Sequence, residues 1–379
     1  MASRLGYKIF ILFALILSIF KVEAKISRAD NLAFKIDKKT ISDDLKPFNV
    51  VSEVPAQVCA SVDLKKYSEP LKLVALFSLW YAFNAGYNVY NSFMKTDFQK
   101  PWITSTIQLV IGMIYAVPLW ATGMRTLPKL TLEDIKLLLP IAALNAFGHS
   151  AAVCAMFEKG GGSFTHVIKA SEPVVSVALN ALINKVIPKP LTGLSLLPIT
   201  YGVAYASTLG NLNLASMNKE LTTKAAKMAM FSNVASSLRS IFRKNLPSDF
   251  KSRTNLDPAN EHAVTTLLSF LIMIPVVLAF ESPSSIVSSF NSIANKKVFL
   301  FNTFICSMCF YLYNEMQNKV LGSLGAVPTA VGNTLKRVVI FVALYYFTQG
   351  ETFPMPKVVG CAIAVLGCLS FAICDSKKL

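Results

Sequence analysis

Residues 332–340 have the sequence GNTLKRVVI, and the apolar run around them continues to Phe347. Lys336 and Arg337 are therefore two adjacent cations in a segment otherwise typical of a membrane helix. One such cation at the centre of a membrane helix costs roughly 2.5–3.5 kcal/mol on insertion scales. The segment 324–349 contains no Asp or Glu that could neutralise the pair. We expect both side chains to face a hydrated cavity and to bind an anion.

The composition of the whole chain agrees with a membrane protein. Of its 379 residues, 53% are hydrophobic and 15% are charged, whereas about 25% of the residues in a soluble globular chain are charged. The formal net charge is +16, which we assign mainly to loop cations that meet anionic lipid headgroups. The basic residues are scattered between apolar segments, which argues against nucleic acid binding.

Residues 1–66 differ in composition from the rest of the chain. Residues 1–24 resemble a secretory signal, with Arg4 and Lys8 before a short apolar stretch; an uncleaved anchor is the alternative. Residues 25–66 are rich in Lys, Asp and Ser and lack apolar periodicity, which predicts a disordered leader. A signal followed by such a leader suggests a plastid bounded by extra membranes, such as an apicoplast. The aspartates of the leader argue against this, because transit peptides are usually poor in acids.

Ten apolar segments follow, separated by short polar stretches. Each is near the length that crosses the hydrocarbon core of a membrane. They cover about residues 70–94, 103–124, 134–156, 163–185, 191–210, 223–245, 262–281, 299–320, 327–349 and 355–374. The sequence therefore predicts an all-α integral membrane protein whose domain of ten transmembrane helices extends over residues 70–374.

The ten segments divide into two similar halves. Lys169 and Lys336 are 167 residues apart, and Gly193 and Gly360 have the same separation. Because each half would have five helices, the second half would enter the membrane from the opposite side. Two inverted five-helix repeats with a binding site near the membrane midplane are the usual plan of a secondary transporter. The predicted repeats cover about residues 70–210 and 223–374.

Lys169 has polar neighbours on its own helix. Residues three and four apart share a helix face, so Lys169 shares one with Thr165 and His166. Glu172 lies three residues beyond Lys169 and could instead neutralise it as a pair on the helix surface.

Phosphate is the anion that this set of side chains suits. Arginine offers a planar fork for bidentate contact with phosphate, and lysine offers a point charge. Lys169, Lys336 and Arg337 together could balance a phosphate dianion and leave about one positive charge for a second acidic group. Tyr311 and Tyr313 in the eighth segment are candidate neutral donors.

Other polar residues do not form a catalytic or metal site. Arg239 is a further intramembrane cation, and His149 could be a ligand or a packed polar residue. Cys306 and Cys309 have CxxC spacing, but no second pair or clustered His accompanies them. The sequence shows no nucleophile elbow, HExxH motif or P-loop. We predict no catalytic residue, no metal and no cofactor.

Several motifs together resemble the plastid triose-phosphate/phosphate translocators, and the resemblance covers roughly residues 70–374. They are PWITSTIQL at 101–109, SFTHVIKASEP at 163–173, NLD at 255–257, YN at 313–314 and GNTLKRVV at 332–339. The resemblance implies the drug/metabolite transporter fold. It also implies strict exchange of inorganic phosphate for a phosphorylated three-, five- or six-carbon compound.

The resemblance implies roles for individual residues as well. Lys169, Lys336, Arg337 and Tyr313 would bind the phosphate group. Arg239 would lie near the rest of the substrate.

Four further positions bear on how the part of the substrate other than its phosphate group would be bound. His149 lies close to a His- and Thr-bearing stretch of the family's third helix, and Val153 falls where a hydroxyl is expected. Glu315 stands where the family usually has Gln, and Ser92 where a Lys often follows Tyr-Asn. These departures leave the choice among triose phosphate, 3-phosphoglycerate and phosphoenolpyruvate open.

We therefore expect an antiporter that exchanges inorganic phosphate for such C3 compounds across a plastid membrane. Its partners would be phosphate, small phosphorylated metabolites and membrane lipid. A nucleotide-sugar antiporter of the secretory pathway is an alternative that the signal-like N-terminus favours, although the Lys-Arg pair fits it less well. An integral-membrane enzyme acting on phosphorylated lipid would need acids at membrane depth, for which Glu172 and Glu315 are the candidates.

Overall fold

A computed structural model describes residues 64–159, 161–212, 219, 223–247, 249–324, 326–348 and 353–376. This part of the chain is helical and contains no strand. The chain divides into two units, Met1–Glu69 and Pro70–Leu379. The predicted signal-like segment 1–24 lies outside the described residues, and so does the predicted leader as far as residue 63. Residues 64–66, assigned to the leader from the sequence, are helical.

The described residues form fourteen helices, which we number in chain order. They are α1 (Leu64–Asp97), α2 (Pro101–Ala121), α3 (Leu132–Phe157), α4 (Gly161–Lys169), α5 (Glu172–Asn184), α6 (Pro190–Leu194), α7 (Leu196–Ser207), α8 (Lys224–Lys244), α9 (Phe250–Arg253), α10 (Pro258–Phe280), α11 (Pro283–Asn291), α12 (Lys296–Leu324), α13 (Ala326–Phe347) and α14 (Met355–Ser376).

Some of these helices have the length and composition of membrane spans. In the described residues, the helices long and apolar enough to cross a membrane are α2, α3, α10 and the Met355–Cys374 part of α14. Leu132, Leu182, Ile187 and Tyr346 are largely exposed on the protein surface, and a lipid environment would cover such apolar side chains. The arrangement of ten spans as two inverted repeats stays a prediction.

Two predicted segments are interrupted. The segment predicted over residues 163–185 is the pair α4 and α5, and the one predicted over 191–210 is the pair α6 and α7. Pro173 explains the first break. Proline has no N–H to donate to the main-chain oxygen four residues earlier, and it disfavours helical geometry in the residue before it. The main-chain oxygen of Lys169, at the end of α4, is therefore left available to another partner.

Glycines let α7 and α14 approach each other closely. A Cβ atom on Gly202 would collide with the main chain of Gly360 and Ala364, and one on Gly360 would collide with Ala206. Small residues at such interfaces let membrane helices pack backbone against backbone. This contact fixes α14 against α7, close to α4.

Candidate functional site

One internal cavity brings together eight of the nine candidate site residues, all except Tyr311. Helices α1, α3, α4, α5, α8, α12 and α13 form it, and it encloses about 780 Å³ of space including its open part. The eight residues that line it are His149, Thr165, His166, Lys169, Arg239, Tyr313, Lys336 and Arg337. The structure brings them together, whereas their roles toward a ligand stay predictions.

The cavity carries a strong positive charge. Among the described residues that line it, the cations are Lys169, Arg239, Lys336 and Arg337, and the carboxylate is Glu172. With neutral histidines, four cations and one carboxylate give a formal charge of +3. An anion is the ligand that such a charge, partly withdrawn from water, would stabilise.

Arg337 is held at the break between α4 and α5. Its Nη2 atom donates to the main-chain oxygen of Lys169 at 2.6 Å, the oxygen that Pro173 leaves without a helical partner. The same atom lies 3.4 Å from Oε2 of Glu172. The sequence pairs Glu172 with Lys169, whereas in the structure its carboxylate lies within ion-pair distance of Arg337, on α13.

The two lysines contact neutral groups. Nζ of Lys169 donates to Oγ of Ser232 on α8 at 2.9 Å. Nζ of Lys336 lies 3.4 Å from Oε1 of Gln317, and it lies 5.4 Å from the ring centroid of Trp80 and 5.6 Å from that of Tyr313. Hydroxyl, amide and aromatic groups contact an ammonium without cancelling its charge, so these contacts do not neutralise either lysine.

Aromatic rings form one wall of the cavity. The ring centroid of Tyr313 lies 5.5 Å from that of Tyr87 and 5.7 Å from that of Phe310. Tyr311 is not among the residues that line the cavity. It is fully buried on another face of α12, where its ring lies 4.7 Å from that of His262. The expectation that Tyr311 donates to the ligand is therefore wrong.

Arg239 and His149 each have one buried nitrogen atom without a hydrogen-bond partner. The guanidinium of Arg239 donates to Oδ1 of Asn145, but its Nε atom is buried without a partner. His149 stacks on Phe310 with 3.9 Å between ring centroids, and its Nε2 atom also has no partner. These two atoms could bind the part of a ligand beyond its phosphate group.

Residue 153 of α3, where the resemblance leads one to expect a hydroxyl, does not line the cavity. Val153 is fully buried, and Ala152 lines the cavity in its place. Neither residue can supply the hydroxyl that the resemblance leads one to expect at this position.

Thr165 and His166 are buried in the cavity wall and have partners within the protein. The hydroxyl of Thr165 donates to the main-chain oxygen of Gly161 at 2.6 Å. Nε2 of His166 lies 2.6 Å from Oδ1 of Asn88 on α1. The contact of His166 connects α4 to α1, and both side chains have less hydrogen-bonding capacity left for a ligand than the four cations have.

Comparison with known proteins shows the family of the chain. A model of the Triose-phosphate Transporter family matches residues 71–372. The chain belongs to the triose-phosphate transporter family.

Relatives within the triose-phosphate transporter family are similar over most of the chain. The xylulose 5-phosphate/phosphate translocator, chloroplastic, of Arabidopsis thaliana is 31% identical over 83% of this chain and 73% of its own length. The phosphoenolpyruvate/phosphate translocator 1, chloroplastic, of Oryza sativa subsp. japonica is 33% identical over 79% and 71%. The triose phosphate/phosphate translocator, chloroplastic, of Flaveria trinervia is 30% identical over 90% and 81%.

Several uncharged polar residues that line the cavity of this transporter-family chain were not predicted from its sequence. Asn84 and Asn88 on α1, Asn145 on α3, and Ser232 and Ser236 on α8 all line it. The spacing of these residues could have identified them, because residues four apart share one helix face. Three such pairs are present: Asn84 and Asn88, Asn145 and His149, and Ser232 and Ser236.

A buried ion-pair cluster lies beside the cavity of this transporter-family chain. Glu315 follows the cavity residue Asn314 and is fully buried. Its Oε1 atom lies 2.7 Å from Nη2 of Arg125, beyond α2, and 3.1 Å from Nζ of Lys319.

A second buried carboxylate extends this cluster. Glu261 of α10 pairs with Arg243 of α8, one turn beyond Arg239, and lies 3.4 Å from Nζ of Lys251. The two sets of ion pairs connect α8, α10, α12 and the segment after α2, with each acid opposed by cations.

The described residues contain no cluster of three or more His, Cys, Asp or Glu side chains that could hold a metal ion. Cys306 and Cys309 are buried free thiols. Sγ of Cys306 lies 3.5 Å from the main-chain oxygen of Tyr87 and 3.5 Å from Nε2 of Gln108. These contacts give Cys306 a packing role in α12.

Proposed function

We propose that the chain exchanges inorganic phosphate for a small phosphorylated metabolite across a plastid membrane. The observation that carries the proposal is the meeting of Lys169, Lys336 and Arg337 at one internal cavity. Family membership and relatives named as phosphate translocators for several phosphorylated compounds support it.

The charges of the cavity suit a phosphate monoester that also carries a carboxylate or a carbonyl group. Lys169, Lys336 and Arg337 oppose Glu172, which leaves two positive charges for a phosphate dianion. Arg239, held separately by Asn145, adds a cation for a carboxylate or a carbonyl oxygen. We propose triose phosphate, 3-phosphoglycerate and phosphoenolpyruvate as the counter-substrates of phosphate.

Alternating access of ten transmembrane helices in two inverted repeats is the transport mechanism that we propose. Two features support it. The fourth predicted span is discontinuous at the cavity, as in secondary transporters that bind substrate near the membrane midplane. The cavity is formed by helices from both predicted halves: α1, α3, α4 and α5 come from the first, and α8, α12 and α13 from the second.

The charge of the empty cavity makes exchange obligatory in this proposal. Closing the empty site against water on both sides would enclose a formal charge of +3, and burying unpaired charge is costly. Bound phosphate removes most of that cost, so the loaded carrier changes conformation and the empty one does not. Phosphate shifts the equilibrium between the open and closed conformations by the difference in its affinity for the two.

The buried ion pairs would close one end of the transport path. Arg125, Glu315, Arg243 and Glu261 connect elements that must separate if the cavity is to open between α2, α8, α10 and α12. Two buried pairs would hold this end shut until a loaded carrier rearranges.

We propose that the chain is located in a plastid membrane. The names of the relatives above place those proteins in chloroplasts. The signal-like residues 1–24 and the leader 25–66 of this chain favour a secondary plastid, such as an apicoplast.

Exchange in reconstituted vesicles tests the proposed function. Vesicles loaded with unlabelled phosphate should take up labelled phosphate through the wild-type chain, and Lys336→Ala should abolish this uptake. Lys136→Ala is the matched control, because Lys136 is an exposed partner of Glu133 outside the cavity, and it should keep wild-type exchange. Unchanged exchange in Lys336→Ala would overturn the assignment of the site.

Competition separates the proposed substrates from the alternatives. Unlabelled triose phosphate, 3-phosphoglycerate and phosphoenolpyruvate outside the vesicles should each reduce uptake of labelled phosphate. Competition by nucleoside monophosphates together with indifference to the C3 compounds would instead favour a nucleotide-sugar antiporter.

A further inference from the structure

The break between α4 and α5 is held by side chains from other helices. The last main-chain oxygens of a helix have no partner within it and need one from elsewhere when they are buried. Three main-chain oxygens at this break receive donors from α8, α13 and α14, and that of Ile168 also accepts the N–H of Ser171. The contacts are Asn233 Nδ2 to Ile168 at 3.0 Å, Arg337 Nη2 to Lys169 at 2.6 Å, and Cys368 Sγ to Ala170 at 3.6 Å.

Asn233 makes two of the contacts at this break. Its side chain is fully buried, and besides Ile168 its Nδ2 atom donates to Oγ of Ser171 at 3.2 Å. The hydroxyl of Ser171 in turn donates to the main-chain oxygen of Ile168 at 2.8 Å. Asn233 is not among the residues that line the cavity, so its contacts at the break are with the protein.

Helix α8 therefore holds Lys169 in two ways. Ser232 accepts from the ammonium of Lys169, and the adjacent Asn233 binds the main chain one residue before Lys169. The main-chain oxygen of Lys169 is also the acceptor for Arg337. A shift of the main chain at the break would move Lys169 and Arg337 together, because the hydrogen bond connects them.

We propose that Asn233 is a positioning residue that sets the spacing of Lys169 and Arg337 for phosphate. This inference rests on the proposed function. When the amide of Asn233 is removed, the break is free to shift and the two cations lose the separation that suits one phosphate group. Binding of phosphate then weakens, although every charge in the cavity is still present.

Asn233→Ala tests the proposal by phosphate exchange in loaded vesicles. The concentration of phosphate at half-maximal exchange should rise about tenfold, the effect expected for the loss of a buried hydrogen-bond donor. Ser237→Ala is the matched control. It removes an interhelical hydrogen bond of 2.7 Å between Ser237 of α8 and Ser176 of α5, neither of which lines the cavity, and should leave the half-saturating concentration within about twofold of wild type.

Thermal unfolding in detergent separates positioning from stability. At the wild-type half-saturating concentration, phosphate should raise the unfolding temperature of the wild type and of Ser237→Ala, and this shift should be largely lost in Asn233→Ala. An Asn233→Ala protein that keeps both the wild-type half-saturating concentration and the phosphate-induced shift would overturn the proposal.

A second variant covers the case in which Asn233→Ala does not fold. Ser171→Ala removes the other partner at the break and should raise the half-saturating concentration in the same direction by a smaller factor. An unchanged value in Ser171→Ala would then overturn the proposal. If the wild-type chain itself shows no phosphate exchange, the proposed function fails, which is a different result from normal exchange in a variant at the break.

Discussion

The guanidinium of Arg337 lies 2.6 Å from the main-chain oxygen of Lys169, although 168 residues separate the two along the chain. Pro173 makes this contact available, because it cannot donate the helical hydrogen bond that this oxygen would otherwise accept. A cation from each predicted repeat thus meets at one helix break. The contact also gives Arg337 a partner in the empty protein, with Glu172 as a second one.

Phosphate binding should require the planar guanidinium geometry of Arg337 as well as its positive charge. In Arg337→Lys, a single ammonium cannot serve the oxygen of Lys169 and also bind phosphate in bidentate fashion. We expect the half-saturating phosphate concentration to rise about tenfold or more. Arg253→Lys, which changes an arginine outside the cavity, should leave the value unchanged. Equal affinity in wild type and Arg337→Lys would show that charge alone is sufficient.

Glu172 should weaken phosphate binding, because it partly neutralises the cations. In Glu172→Gln the formal charge of the cavity rises by one, so we expect the half-saturating phosphate concentration to fall about three- to tenfold. The empty carrier should return more slowly, since it would enclose more charge, and uptake into vesicles without counter-substrate should fall further. Weaker phosphate binding in Glu172→Gln would mean that the carboxylate instead positions Arg337.

The sequence was sufficient to locate the charged residues of the site. Lys169, Arg239, Lys336 and Arg337 stand out because a cation in an apolar segment is costly unless something compensates it. Helix periodicity then added Thr165. All of these residues line the cavity.

The partners of these residues were beyond sequence reasoning. Asn233 and Ser232 are uncharged, and such residues are common in membrane helices, so neither attracts notice. Helix periodicity identifies neighbours on one helix only, which is why Glu172 was paired with Lys169 and not with Arg337. The interrupted fourth segment was missed because the length of an apolar run does not record a break within it.

The buried ion pair of Glu315 and Arg125 should matter for stability. Glu315→Gln leaves Arg125 without its carboxylate in a buried position, and breaking such a pair costs about 3–5 kcal/mol. We expect a clear fall in unfolding temperature, partly recovered in the double variant Arg125→Gln/Glu315→Gln.

The exposed pair of Glu133 and Lys136, with 2.8 Å between its charged atoms, is the control for that measurement. Glu133→Gln should change stability by at most about 1 kcal/mol. Equal losses at the buried and the exposed pair would contradict the structural account of this cluster.

Gly193 and Gly360, 167 residues apart in the sequence, should differ in their tolerance of a methyl group. Gly360→Ala places a Cβ atom against the main chain of α7, whereas a Cβ atom on Gly193 has open space around it. We expect Gly360→Ala to lower the unfolding temperature and the yield of folded protein. Gly193→Ala should be neutral or slightly stabilising, because alanine favours a helix over glycine. The opposite order would show that α7 and α14 are not in close contact.

Dependence of uptake on internal phosphate tests the central claim most directly. Wild-type protein is reconstituted into two sets of vesicles, one loaded with phosphate and one without any counter-substrate, and labelled phosphate is added outside. An obligatory exchanger should take up labelled phosphate rapidly in the loaded vesicles and very little in the unloaded ones. Equally fast uptake in both sets would show that the empty, positively charged cavity can change conformation, and it would contradict the account.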